Sequence, residues 1–575
     1  MVERLIKKGR NIFFSQQSSI ISAASIIMLM IVASRVLGLI RQRVLAHYFI
    51  PGDLAVFFAG FRLPDLIFEV LVFGTFSSAF IPVFTKALQK GKKLAWDTAA
   101  NITNIGLVAF LFLTLIMVFF AGPLYKLFVP GFSPEHQKQV VELARILFVA
   151  QGFFVVSYVL TGVLESSRRF LIPALAPLFY NLGIIFGTIV LTPKFGLMAP
   201  AWGVVIGALS HFLIQLPLAI KLGFRFKFGI HLTEEVRKIG KLALPRIVEV
   251  SFLQVAKTVE LSLATLISKA SYTYFTFGNS LQLLPVGLFG TSIAKAALPT
   301  LARQADNKIE FSRTLYTALN QMVFLVLPIA TILVVLRIPI VRLVYGTDIF
   351  SWEATVQTGM VLSAFAFGVI FQCAASLLAR AFYALHDTKT PVIVSVISLL
   401  FNILINFILI KYLHFPVWGL AAAFTIGSTI QTITLFILIN RRIQLNAGVS
   451  RFGSMLKSLT GTLVSGFSMF FLLKFFDLSV WVKRLSFLKK IDIVGGIPFE
   501  KFVLDTRYTV NLLALKIFVT AIGLAIYILV LFLLRSAEIK YFFNLLSSFL
   551  AKRKLKPIPQ KEEELIAPST GDTNV

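Results

Sequence analysis

The chain has 575 residues, of which 57% are hydrophobic and only 14% charged, with a formal charge of +29 and a mean hydropathy of +0.86. A soluble domain carries about 25% charged residues, so too little polar surface remains to coat a water-soluble globule of this length. The positive charge argues for cytoplasmic loops held inside by Lys and Arg, and against nucleic-acid binding, because no basic stripe interleaves with stacking aromatics on a polar module.

Apolar runs of roughly 20 residues recur from Ile20 to Leu534, the length a helix needs to cross about 30 Å of hydrocarbon. They lack the period-2 alternation of barrel strands, so the expected fold is an all-α polytopic membrane bundle. About fourteen spans are predicted, near 20–46, 53–86, 97–120, 140–163, 172–192, 198–220, 240–267, 272–302, 314–336, 355–384, 391–411, 417–440, 455–475 and 509–534. The basic start, Met1 to Arg10, precedes an apolar run without a small-residue cleavage site and is read as leading into a retained first span. With both termini placed in the cytoplasm, the inside loops hold roughly 30 Lys and Arg and the outside loops roughly 13. Residues 477–508 are predicted as a long outside loop. Residues 536–553 are predicted as an interfacial amphipathic helix, and the tail beyond Pro557 as a disordered segment.

Cys373 is the single cysteine, which rules out a disulfide framework and a Cys-based metal site. The six histidines (His47, His136, His211, His231, His386 and His414) show no ligand spacing.

An imperfect internal repeat runs through the chain. Gly74-Thr75 with Pro82 recurs as Gly290-Thr291 with Pro299. The Arg168–Pro173 stretch, Asn181 and the glycine-rich 196–207 recur as Asp387–Pro391, Asn402 and 419–427. The spacing of about 216 to 221 residues corresponds to six spans, and transporters built from such repeats place their substrate at the repeat interface. The expected units are therefore two six-helix lobes (1–230 and 231–445), spans 13 and 14 (446–535), and the C-terminal segment (536–575).

Ionisable residues inside apolar runs are costly and face a cavity or a partner. Span 1 carries Arg35, Arg41 and Arg43, while span 2 carries Arg62, Asp65 and Glu69 around Pro64, with Asp65 and Glu69 one helical turn apart. Arg43 and Asp53 are read as snorkelling to the interface. In span 7, Arg246, Glu249, Lys257 and Glu260 fall within an arc of about 80° at 100° per residue. Such a stripe lines a hydrated cavity, pairs with another helix, or neutralises itself through Arg246–Glu249 and Lys257–Glu260. Lys295 in span 8 is a further candidate buried cation. Pro64, Gly74, Pro82, Pro245, Pro285 and Pro299 break these same helices.

Ser34-Arg35-Val-Leu-Gly-Leu-Ile-Arg41, Phe61-Arg-Leu-Pro64-Asp-Leu-Ile and Gly74-Thr-Phe-Ser77-Ser-Ala-Phe-Ile-Pro82 resemble the opening of the MurJ/MviN family. So do Arg169–Pro177 with Asn181, Leu284–Gly290, and Phe382-Tyr383 followed by Asp387–Pro391. The resemblance spans residues 20 to about 535. It implies a lipid II flippase of the multidrug/oligosaccharidyl-lipid/polysaccharide exporter superfamily, a transporter and not an enzyme. Such a protein moves the undecaprenyl-pyrophosphate-linked peptidoglycan precursor from the inner to the outer leaflet of the bacterial cytoplasmic membrane by alternating access. It implies the lipid bilayer and lipid II as partners, no cofactor, and coupling to sodium or membrane potential; a monomer is the default expectation. Arg35 and Arg41 match the family's cationic set. The family's other arginines are replaced by Phe68, Glu69 and Ser280, and an acidic position by Phe73. Arg62, Arg246, Lys257 and Lys295 are the candidates to supply the lost charge to substrate, with Glu69, Glu249 and Glu260 as cavity acids. The family's sodium site maps onto Glu249, Asn402, Asn406 and Thr425. The alternatives are a flippase for another polyprenyl-linked saccharide or a drug or cation exporter of the same superfamily. A membrane-embedded glycosyltransferase is disfavoured, because the loops offer Glu234-Glu235 and Asp306 but no paired acidic motif.

Overall fold

A computed structural model describes residues 20–73, 79–443, 453–476 and 509–539. The expected loop at 477–508, nearly all of the segment at 536–553 and the tail lie outside the described residues. So do the side chains of Arg246 and Glu249, whose backbone is helical.

In chain order the helices are α1 (Ile20–Tyr48), α2 (Pro51–Gly60), α3 (Arg62–Phe68), α4 (Ile81–Lys90), α5 (Lys92–Phe128), α6 (Pro134–Ser166), α7 (Leu171–Phe195), α8 (Ala199–Leu222) and α9 (Glu234–Ile267). They continue with α10 (Ser271–Pro285), α11 (Thr291–Arg303), α12 (Lys308–Val335), α13 (Arg337–Tyr345), α14 (Trp352–Ala384), α15 (Lys389–Phe407), α16 (Trp418–Ile443), α17 (Gly453–Phe476) and α18 (Thr509–Leu533). Among the described residues, 11 helical stretches are long and apolar enough to cross a membrane, and one of them, Leu171–Leu222, is the bent pair α7–α8. Only 11% of the most apolar window of α5 is buried, and Leu115 and Phe119 on it are 72% and 80% exposed. A helix this apolar and this uncovered has lipid as its solvent.

Local sequence sets the ends. Ser133, Thr233, Asn307 and Ser351 each accept a backbone N–H of the first turn of α6, α9, α12 and α14, which satisfies an otherwise orphaned donor. α7 and α8 approach so closely that a Cβ on Gly183 would sit 2.3 Å from Gly207 Cα, and one on Gly187 2.2 Å from Gly203 Cα. In lipid, where helices gain little by hiding apolar surface from each other, such small-residue contact is the main way to pack.

The two halves repeat at the level of the backbone. α6 packs on α8 and α5, α7 on α8, and α1 on α7. In the second half α14 packs on α16 and α12, α15 on α16, and α9 on α15. Five-residue π turns interrupt span 2 at Glu69–Phe73 and span 8 at Val286–Gly290. Left-handed residues end the fourth and tenth spans at Arg168 (φ 57°) and His386 (φ 58°), each closed by a six-residue bond, Arg169 N–H to Leu164 O and Asp387 N–H to Phe382 O. Gly196 (φ 51°) and His414 (φ 52°) match in the same way at the next turns. α17 and α18 pack on each other and reach the second half through α12.

Candidate functional site

Three adjoining cavities run along the inner faces of α1, α3, α6 and α7. The first, about 270 Å³, is lined by Ser34, Arg35, Arg41, Gln42, Tyr180, Asn181 and Ser280 among others. The second, about 470 Å³, holds Asp65, Phe68, Glu69, Gln151, Tyr158, Tyr180, His211 and Lys257. The third, about 400 Å³, continues from Ser34 and Arg35 down to Glu165 and Phe170 at the α6–α7 turn. Pro177 is common to all three. The cavities therefore extend to the α6–α7 end.

The first cavity is the cationic one. Arg35 is exposed within it, and Arg41 is half-buried with its Nε–H unpartnered. Gln42 donates to Ser280 Oγ at 2.8 Å. Arg62, 6% exposed, likewise keeps a buried Nε–H without a partner. A buried donor left unsatisfied costs about 1–3 kcal/mol.

A polar chain crosses from span 2 to span 7 beside the second cavity. The Arg62 guanidinium donates to Gln254 Oε1, and Gln254 Nε2 donates to Glu69. Lys257 Nζ lies 3.2 and 3.0 Å from the two carboxylate oxygens of Glu69. Asp65, one turn away, accepts from Gln151 Nε2 at 2.7 Å. The span 7 stripe thus joins another helix: Lys257 pairs with Glu69 and not with Glu260, which accepts no hydrogen bond from the described residues. Lys257 is drawn across because the π turn presents Glu69 directly to α9. Gln254 is the residue that ionisable-group counting overlooks, although a glutamine flanking a charged stripe on an apolar helix is itself a signal.

The opposite end is clasped. Tyr345 donates to Gln42 Oε1 at 2.8 Å, and its ring stacks on Phe277 with centroids 4.1 Å apart. Lys269 pairs with Asp53 at 2.9 Å, Thr273 donates to Pro51 O at 2.6 Å, and Thr347 to Ala46 O at 2.8 Å. Arg43 donates to Leu343 O at 2.6 Å and Val344 O at 3.2 Å, where the carbonyls at the C-terminus of α13 carry the negative end of the helix dipole. Arg43 and Asp53, expected to snorkel to the interface, thus hold protein partners at this end.

Other expectations also part. Lys295 is exposed and not buried, because the face of α11 that packs inward is the one bearing Ala294 and Leu301. Of the four sodium-ligand candidates, Asn402 and Asn406 are buried and bonded to each other at 3.1 Å, with Asn402 Nδ2 and Asn406 Oδ1 left unpartnered. Thr425 instead donates to Ala364 O at 2.7 Å. It sits about 200° around α16 from Gly427, and Gly427 is the residue that faces Asn402. Thr425 therefore faces α14, and the Asn402–Asn406 pair faces Gly427.

A repeated set of long apolar helices with a charged cavity among them is the build of a membrane transporter. The family model described as Lipid II flippase MurJ matches residues 45–489, and the chain belongs to that family. A protein from Vibrio cholerae named probable lipid II flippase MurJ is 30% identical over 438 residues, covering 72% of this chain and 82% of its own. One from Borreliella burgdorferi with the same name is 25% identical over 83% of this chain and 94% of its own. Among solved structures, "Lipid II flippase MurJ, inward closed conformation" superposes with a TM-score of 0.69 at 24% identity, covering 87% of this chain and 98% of that one. An inward-facing multidrug resistance MATE family transporter of the MOP superfamily gives 0.60 at 16% identity, over 72% and 94%.

Proposed function

We propose that this chain carries lipid II from the inner to the outer leaflet of a bacterial cytoplasmic membrane by alternating access between two lobes, residues 1–230 and 231–445. The observation that carries the reading is the cationic cavity, in which Arg41 keeps an unpartnered buried N–H beside the accessible Arg35. A pyrophosphate bears about two negative charges, and arginine forks bind its oxygens in pairs. Its arrival would satisfy the orphaned donor. With both termini cytoplasmic, the clasp at Tyr345, Asp53 and Arg43 closes the outer side, and the run of cavities toward Glu165 opens inward. Lys257, on the wall of the second cavity, supplies charge from a position other than those of the family arginines replaced by Phe68, Glu69 and Ser280, while Arg62, sealed behind it, holds Gln254 in place.

Complementation tests the substrate. Expression in a cell depleted of its own MurJ restores growth if lipid II is carried, whereas failure of an expressed, membrane-inserted chain to restore it would favour another polyprenyl-linked saccharide. A Lys257→Ala variant is expected to lower rescue about tenfold or more, in line with the loss of one charge-assisted contact at about 1.5–3 kcal/mol.

A further inference from the structure

The Glu69–Lys257 pair has an unusual placement for an ion pair inside a membrane. Its side chains are 29% and 47% exposed, so both face the open cavity, while the groups behind them are sealed: Gln254 is 1% and Arg62 6% exposed. A buried pair would be hard to exchange, because each charge left alone would cost several kcal/mol. A pair in contact with water is worth only about 0–1 kcal/mol. Lys257 is therefore neutralised, yet weakly, at the wall of the space that shares Tyr180 and Pro177 with the arginine cavity. The pair also joins span 2 to span 7, helices of opposite halves.

We propose that Glu69 is a built-in counter-anion that occupies Lys257 in the empty protein and is displaced by the diphosphate of the substrate. This rests on the lipid II reading above. A diphosphate offers more acceptor oxygens and about one more negative charge than a carboxylate, so it outcompetes Glu69 for the ammonium. Glu69 keeps its hydrogen bond from Gln254 after the exchange and is not left bare. Losing the Lys257 contact removes one tie between the two halves, so binding favours the state in which they separate. A ligand shifts a conformational equilibrium only through such a difference in contacts. Phosphate-free amphiphiles lack the charge to make the exchange and leave the tie in place, which makes Glu69 a filter on head-group charge.

The test is a double-mutant cycle on the full chain in detergent, with lipid II as the probe and binding read by thermophoresis. Glu69→Gln removes the charge but keeps an acceptor for Gln254, and is expected to bind lipid II about two- to fivefold more tightly, the equivalent of a competing pair of up to about 1 kcal/mol. In a Lys257→Gln background the same change is expected to give no gain, whereas a merely structural role for Glu69 would shift both backgrounds alike. Glu69→Asp, with a shorter reach to Lys257, gives a smaller gain in the same direction and covers the case of a misfolded Gln variant. Binding by the unaltered chain with unchanged or weaker binding by Glu69→Gln overturns the inference alone. Absence of lipid II binding to every form overturns the functional reading and the inference with it.

Discussion

Gly207 on α8 faces the carbonyl of Tyr180 on α7, and a Cβ there would lie 2.4 Å from that oxygen. Its counterpart in the repeat, Gly427 on α16, faces Asn402 on α15, where the added atom would lie 3.1 Å from a side-chain Cβ. The helix pairing is the same and the contents differ. In the first half the residues around Tyr180 open onto the charged cavities. In the second, Asn402 turns inward onto Asn406. Duplication carries the scaffold across, including its left-handed turns and π turns. The chemistry lives in side chains that the two copies do not share.

The largest effect that would break this comparison comes from the glycines. Gly207→Ala is expected to destabilise the protein by about 2–3 kcal/mol, because a backbone oxygen cannot step aside and overpacking typically costs 1–3 kcal/mol. Gly427→Ala is expected to cost less than about 1 kcal/mol, since a contact at 3.1 Å asks for only a slight shift of α15 and alanine gains about that much helix propensity over glycine. Thermal unfolding in detergent distinguishes them, and equal losses would mean that the two interfaces are packed alike.

A smaller effect is expected at Asp387, in the turn between α14 and α15. Burial pushes its carboxyl upward, but hydrogen bonds from Thr390 and from Arg442 outweigh this and hold it below the usual carboxylate value. A depressed acid contributes stability above its unfolded value near pH 4 and loses it as pH falls through the folded value. Unfolding followed from pH 5 to pH 3 should therefore show a decline that Asp387→Asn flattens. The first half has Arg168 and Arg169 at the matching turn and should lack this acid-linked component.

Much of the architecture is legible in the residues themselves. The apolar runs, the repeat and the stripe on span 7 follow from periodicity and from the cost of charge in lipid. The partner of Lys257 is not legible, because Glu260 three residues on and Glu69 on another helix satisfy the same electrostatic argument. Only the π turn after Phe68 decides between them. The partners of Arg43 and Asp53 are hidden for a related reason: a charged group at a helix end finds headgroups, a neighbouring helix terminus or an opposite charge, and sequence spacing does not say which is nearer. Gln42, Gln254 and Tyr345 escape a search confined to ionisable groups, yet they hold the two halves together.

If lipid II passes through this cavity, the clasped end must open. Asp53→Cys and Lys269→Cys place two thiols on either side of that clasp, in a chain whose native Cys373 is fully buried. Reconstituted with lipid II in vesicles, this variant should move the lipid to the outer leaflet before treatment with a short bifunctional thiol reagent and cease to do so afterwards, while each single-cysteine variant stays active. Undiminished movement of lipid II by the fully cross-linked protein would contradict the account.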